Sequence, residues 1–178
     1  IIAVAALEEG VIGLNDTVNC TGIYKEISPA LRCWIYPGQH GPLDVVHGIQ
    51  NSCNVFFSEM GHRLSMDENG NYSPELGIEK IRKYASLFGL DETSGIEIAE
   101  REPQMTTEKP EASSIGQGKN SYSNVQLSRY ITAVANKGTV FKLSLLDKMT
   151  DSQGNLLEDF TPDPFPDNNL PSSWVYHN

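Results

Sequence analysis

Leu43-Asp44-Val45-Val46-His47-Gly48-Ile49-Gln50-Asn51-Ser52-Cys53-Asn54-Val55-Phe56-Phe57-Ser58-Glu59-Met60-Gly61-His62-Arg63-Leu64 is the stretch from which the architecture of this chain is read. Leu43, Val46, Ile49, Cys53, Phe56, Phe57, Met60 and Leu64 recur at steps of three and four, which lines one face of a helix. Asn51-Ser52 interrupts that face with two good N-cap residues, so one long helix and two helices joined at Ser52 fit equally well.

Upstream, residues 11–42 are rich in Gly, Pro, Asn and Thr and predict an extended loop with short strands. Ile1-Ile2-Ala3-Val4-Ala5-Ala6-Leu7-Glu8-Glu9-Gly10 reads as the last turns of a buried helix stopped by Gly10. It opens in mid-pattern, with no Met, N-cap or capping box before it. At the far end, Leu170-Pro171-Ser172-Ser173-Trp174 has the Ser and Pro of a helix start. Both ends are therefore expected to be cuts in a longer chain, and residues 1–178 to be part of one domain.

Downstream, Asp67 to Pro74 is a polar Asn/Gly loop whose glycine and missing bidentate Glu argue against a calcium loop. An amphipathic helix follows over Leu76 to Phe88, with Ile78, Ile81, Tyr84, Ala85 and Phe88 inward and Gly89 as its stop. Residues 90–122 read as irregular. A further helix spans Ser123 to Asn136, its apolar positions Val125, Leu127, Tyr130, Ile131 and Val134. Val140 to Met149 and Leu156 to Phe160 flank Asp151-Ser152-Gln153-Gly154-Asn155 as a β-hairpin, and Thr161 to Pro166 reads as a surface connection.

With 39% hydrophobic and 20% charged residues, the chain is neither disordered nor membrane-spanning in composition. The apolar opening Ile1–Leu7 is far too short to cross a bilayer. A net charge of −10 argues against a nucleic-acid partner, which needs clustered Lys and Arg. The cysteines Cys20, Cys33 and Cys53 allow a Cys20–Cys33 disulfide, though buried free thiols are the preferred reading. His40, His47, His62 and His177 show no ligand spacing with them, so zinc is set aside and no metal or organic cofactor is expected.

Chemistry enters at Ser52-Cys53-Asn54. Serine acyl-transferases of the penicillin-recognising group bring S-x-x-K, S-x-N and K-T-G together in one cleft, and Ser52-Cys53-Asn54 matches the middle motif. A bare S-x-N is weak; its surroundings make it specific. Leu31-Arg32-Cys33-Trp34, His40-Gly41, Asn51 to Phe57, Gly77 to Ile81, Phe88-Gly89-Leu90, Thr93 to Glu97, Ile115-Gly116-Gln117-Gly118, Val125-Gln126-Leu127 and Ala135 to Gly138 stand in one order. Together they resemble the class B penicillin-binding proteins, especially the elongation-type branch, over most of residues 1–160.

That resemblance implies an α+β, β-lactamase/transpeptidase-like fold, of which this stretch supplies mainly the helical lobe and a small antiparallel hairpin. It also implies a D,D-transpeptidase. A serine attacks the D-Ala–D-Ala carbonyl of a peptidoglycan stem peptide, releases D-Ala and passes the acyl group to an amine, and β-lactams mimic the substrate. Within that scheme Ser52 relays a proton and Asn54 holds the substrate's backbone amide. Gly116-Gln117-Gly118, by default a tight turn, lies beside the cleft, while Trp34 and His40 pack nearby. A plain helix cap remains the rival reading of Ser52, and capping is compatible with catalysis. Cys53 reads as a core residue.

The same resemblance implies stem peptides, β-lactams and cell-wall elongation machinery as partners. It implies the extracytoplasmic face of a bacterial membrane as location, reached through an N-terminal anchor outside this chain. No S-x-x-K precedes Ser52 and no K-T-G follows it, so residues 1–178 alone are expected to be inert. A β-lactamase or β-lactam sensor of the same superfamily, and a non-catalytic helical interaction module, remain as alternatives.

Overall fold

The structure, a computed structural model, describes residues 1–161 and 163–169. Two compact units divide these residues: Ile1–Tyr84 with Met105–Asn120, and Ala85–Gln104 with the residues from Ser121 onward. The helix start expected at Leu170–Trp174 lies outside the described residues.

In the first unit, α1 (Ile2–Glu8) ends as expected, with Gly10 at φ +67° and Val11 N–H donating to the Ala6 carbonyl at 3.0 Å. The glycine- and proline-rich segment after it forms four short strands: β1 (Val18–Cys20), β2 (Ile23–Tyr24), β3 (Leu31–Arg32) and β4 (Gly41–Leu43). β1 pairs antiparallel with β4, Cys20 opposite Gly41, and β2 pairs with β3, Ile23 opposite Arg32. Two helices, not one, then follow: α2 (Val45–Gln50) and α3 (Asn54–Leu64). Asp44 caps α2, its carboxylate accepting from His47 N–H at 2.8 Å.

The core of this unit gathers Ala6, Ile12, Val18, Cys20, Tyr24, Cys33, Leu43, Val45, Cys53, Val55, Phe56 and Met60 around α3. One feature corrects the periodicity. Val46 and Ile49 are exposed, and α2 turns Val45 and Gly48 inward instead. The backbone reverses its hand at Ser52 (φ +46°), so the apolar stripe of α2 does not continue into that of α3. Packing here is close: a methyl group at Gly48 would stand 2.7 Å from the Phe56 ring, and one at Gly61 would stand 2.5 Å from the Pro110 carbonyl oxygen. Helix α4 (Pro74–Leu87), whose residues from Ala85 belong to the second unit, buries Ile78, Ile81, Tyr84 and Ala85 as the pattern predicts, with Gly89 after it at φ +71°. The short α5 (Pro110–Ser113) completes the unit.

In the second unit, α6 (Asn124–Ala135) opens with a capping box. Ser123 Oγ accepts from Gln126 N–H at 3.1 Å, and the Gln126 side chain accepts from Ser123 N–H at 2.8 Å. The apolar stripe Leu127, Ile131 and Val134 is exposed, while Gln126, Arg129 and Ala133 are buried. Burial follows hydrogen bonding here. Arg129 donates to the carbonyls of Gly89, Thr93 and Glu92, and Gln126 Nε2 donates to that of Arg101 at 3.2 Å. β5 (Thr139–Phe141) precedes the expected hairpin, β6 (Lys148–Thr150) and β7 (Leu156–Asp159), whose loop folds on the Asp151 carboxylate. The segment read as a surface connection instead forms β8 (Pro164–Asn169) against β5, with Pro164 opposite Phe141 at the end of the ladder, where its missing N–H is tolerated. Helices beside small antiparallel sheets make the chain α+β.

Candidate active site at the α2–α3 junction

Asn51, Ser52 and Cys53 form one tight turn. Ser52 N–H donates to the Ile49 carbonyl at 3.0 Å and Cys53 N–H to that of Gly48 at 3.1 Å, the paired bonds of a Schellman motif. Ser52 therefore occupies the left-handed position after α2, where glycine is usual. The helix-cap reading of Ser52 is corrected: Cys53 caps α3, its sulfur accepting from Phe56 N–H at 3.4 Å. Ser52 is left exposed, its hydroxyl engaged by no other described side chain. Strained non-glycine backbone of this kind concentrates at functional sites.

Neighbouring groups fix the turn. Trp34 Nε1 donates to the Asn51 carbonyl at 2.9 Å, and Asn51 Nδ2 donates to that of His47 at 2.8 Å. Asn54, the first residue of α3, donates from Nδ2 to the Arg32 carbonyl at 3.0 Å. That bond aims its carboxamide and leaves Oδ1 as an acceptor. The Arg32 guanidinium covers the Tyr36 ring at 4.7 Å, and Trp34 meets the His40 ring edge-on at 5.3 Å. Ser52 and Asn54 thus flank the cap of α3, at its positive end.

Gly116, Gln117 and Gly118 follow α5, with Gly116 at φ +79° and Gln117 N–H donating to the Ala112 carbonyl at 3.0 Å. Gln117 and Gly118 line a cavity of about 850 Å³, shared with Ile27, Tyr72, Arg82 and Glu111. Gly116, Ser52 and Asn54 are not among its lining residues. Glu111 anchors this region. Though buried, its carboxylate accepts from His62 Nδ1 at 3.1 Å and from the Tyr72 hydroxyl at 3.0 Å. The His62 and Tyr72 rings stack at 4.9 Å, and burial, aided by Glu111, pushes the Tyr72 hydroxyl up to about 12. Nothing in the sequence marks Glu111, because an acid in a polar run reads as surface.

Behind Ser52 lies a second cluster. Cys20, Cys33, Cys53 and His40 bring one sulfur or ring nitrogen each to within 4.8 Å of one another. This corrects the reading of the cysteine and histidine spacing, for the two strand pairs fold four distant positions together. All three cysteines are free and buried. Burial pushes the Cys53 thiol up to about 12. Burial opposes ionisation of Cys33 as well, yet the N–H groups of Ile35, Asn54 and Val55 bring that thiol below its ordinary value.

The family model described as "Penicillin binding protein transpeptidase domain" matches residues 1–174. Stage V sporulation protein D of Bacillus subtilis (strain 168) is 36% identical over 95 residues, covering 53% of this chain and 13% of that protein. Peptidoglycan D,D-transpeptidase MrdA of Escherichia coli (strain K12) is 27% identical over 156 residues, covering 78% and 23%. Penicillin-binding protein 2B of Streptococcus pneumoniae (strain R6) superposes with a TM-score of 0.71 at 20% identity, covering 97% of this chain and 30% of that one, and shares its fold. The chain spans less than a quarter of the length of either curated relative.

Proposed function

Because this chain belongs to the penicillin-binding protein transpeptidase family, we propose that it forms part of a serine D,D-transpeptidase that cross-links peptidoglycan stem peptides and is acylated by β-lactams. The observation carrying the proposal is the Ser52–Asn54 turn. A hydroxyl in a strained, exposed position stands beside a carboxamide whose nitrogen is already tied to Arg32, at the start of α3.

In this scheme the nucleophilic serine and its lysine belong to an S-x-x-K that residues 1–178 do not contain. The serine oxygen bonds to the carbonyl of the penultimate D-Ala, and the C–N bond to the terminal D-Ala breaks. The proton from the serine reaches the departing amine. Ser52 suits the relay because a hydroxyl accepts and donates in turn. The Asn54 Oδ1 receives the N–H of the substrate backbone, which sets the carbonyl for attack. Gly116-Gln117-Gly118 borders the substrate at a further remove.

The site works at the extracytoplasmic face of a bacterial membrane, alongside cell-wall elongation machinery. Among the described residues no helix is long and apolar enough to cross a membrane, so that location rests on the family alone.

The test uses the complete protein and a fluorescent penicillin. S52A is expected to slow acylation on the order of 10²–10⁴-fold, the usual contribution of a positioned proton-transfer group, with N54A also slowed. Acylation at the unaltered rate in both would remove the assignment. Residues 1–178 alone are expected to take no label, and a covalent adduct on them would overturn the scheme.

A further inference from the structure

We propose that the cavity lined by Glu111 and Gln117 binds a primary ammonium carried on a peptide side chain, and that its occupant in the transpeptidase is the acyl acceptor. The cavity measures about 850 Å³ and lies wholly within the first unit. That volume is ordinary for a site that takes a small ligand or one arm of a peptide. Ile27, Leu31 and Ile78 give it apolar walls. The methylene stem of an amine-bearing side chain packs against such walls while its charged end seeks an acid.

The acid is Glu111. Its side chain is only 3% exposed and still lines the cavity. A buried carboxylate needs partners, and its two oxygens offer several acceptor positions. Here His62 Nδ1–H and the Tyr72 hydroxyl both donate to Oε1, at 3.1 Å and 3.0 Å, which leaves Oε2 for a ligand. The stacked rings of His62 and Tyr72 fix those two donors, so the carboxylate is held in place before anything binds.

Charge on the rest of the wall selects the same ligand. Glu75, Glu79 and Glu108 join Glu111 against two cations, Arg82 and Lys109. Arg82 is already committed to the Thr106 carbonyl, to which its Nη1 donates at 3.2 Å, and Lys109 is exposed. A cation therefore meets more attraction than repulsion here. Among the described residues these carboxylates do not gather closely enough to hold a metal ion, which leaves an organic ammonium. Gln117 and Gly118 belong both to this wall and to the segment that borders the substrate. Identifying the occupant as the acyl acceptor rests on the transpeptidase reading above, in which an amine receives the acyl group. The cavity holds that amine protonated and makes no covalent bond to it.

The test titrates the complete protein with Nα-acetyl-L-lysinamide and, separately, with its Nε-acetylated counterpart, following binding by saturation-transfer NMR. The ammonium probe should bind saturably. The acetylated probe, neutral at the same position, should bind about tenfold more weakly or worse, the factor carried by one charge-assisted contact. E111Q should weaken the ammonium probe to a similar degree. I27W, which fills the cavity from a half-buried wall position, should weaken both probes, and it decides the matter should E111Q fail to fold. Equal affinity for the two probes, no saturable binding to the unaltered protein, or unaltered binding in a folded I27W would overturn the proposal. Probe binding involves no acylation, so the two readings fail separately. If S52A and N54A are acylated at the unaltered rate while the probe still binds, the transpeptidase assignment falls and the ammonium site stands. If both variants are slowed and the probe does not bind, the cavity assignment falls alone.

Discussion

The indole N–H of Trp34 donates to the carbonyl oxygen of Asn51 at 2.9 Å, although the ring itself is 64% exposed. A large apolar side chain in that state reads as incidental surface until its one polar atom is followed. Asn51 is the last residue before the left-handed turn at Ser52, so this bond fixes the carbonyl from which the turn departs.

W34F keeps most of the ring and removes only the donor. It should lower stability by about 1 kcal/mol, the usual net worth of a neutral hydrogen bond. In the complete protein it should slow penicillin acylation more than a surface Phe elsewhere would. Urea unfolding combined with acylation kinetics separates the two effects. Full activity in a folded W34F would show that the bond does not position Ser52.

Glycine in the middle of a helix normally gives way to alanine with a gain of roughly 0.5–1 kcal/mol. Gly48 should behave in the opposite sense. Its added methyl would stand 2.7 Å from the ring of the fully buried Phe56, which has no room to retreat. G48A is expected to lose about 1–3 kcal/mol, the range for overpacking. The double variant G48A/F56L should recover part of that loss, and a thermodynamic cycle on the four proteins reads the coupling. Simple additivity would sink this account.

Much of the fold is legible in the chain because local rules and packing agree there. Gly10 and Gly89 stop helices where the pattern places them, and Asp151 to Asn155 supplies its own turn chemistry. The errors in helix facing are of one kind. Val46, Ile49, Leu127, Ile131 and Val134 are apolar at helical spacing and still face outward. In α2 the break at Ser52 resets the face, and in α6 the carbonyls that Arg129 and Gln126 must satisfy decide which side is buried. The S-x-N motif is visible as three letters. The grip of Arg32 on Asn54 and the meeting of His40 with three cysteines depend on contacts between distant segments, which no window of sequence contains.

Glu9 contributes to how the first unit responds to acid. Its carboxylate meets Lys83 Nζ at 2.8 Å, the Tyr84 hydroxyl at 2.9 Å and Lys80 Nζ at 3.4 Å. The hydrogen bond from Lys83 holds the carboxyl below its ordinary range, against an opposing effect of burial, with Tyr84 and the charge of Lys80 adding. The folded state thus binds fewer protons at this group than the unfolded one, so stability rises with pH across its titration. The contribution is fully present above the unfolded carboxylate value of about 4.3 and is lost as pH falls through the lower folded value. E9Q should be less stable than the unaltered chain at neutral pH, with the gap closing on acidification. Urea midpoints at neutral and acid pH test this, and a gap that stays constant or widens would refute it.

Ser52 offers the sharpest separation of folding from chemistry. A residue with a Cβ in the left-handed region is disfavoured by roughly 1–2 kcal/mol, a penalty that glycine escapes. S52G should therefore fold more stably than the unaltered chain by about 1 kcal/mol, whereas S52A keeps the strain and should change stability little. Acylation of the complete protein should fall in both, because both lack the hydroxyl. A side chain kept only to shape the turn would show the reverse, with S52G fully active and S52A no worse. With that outcome the strain at φ +46° would mark a hydroxyl retained for proton transfer, and a destabilised S52G would remove that reasoning at its root.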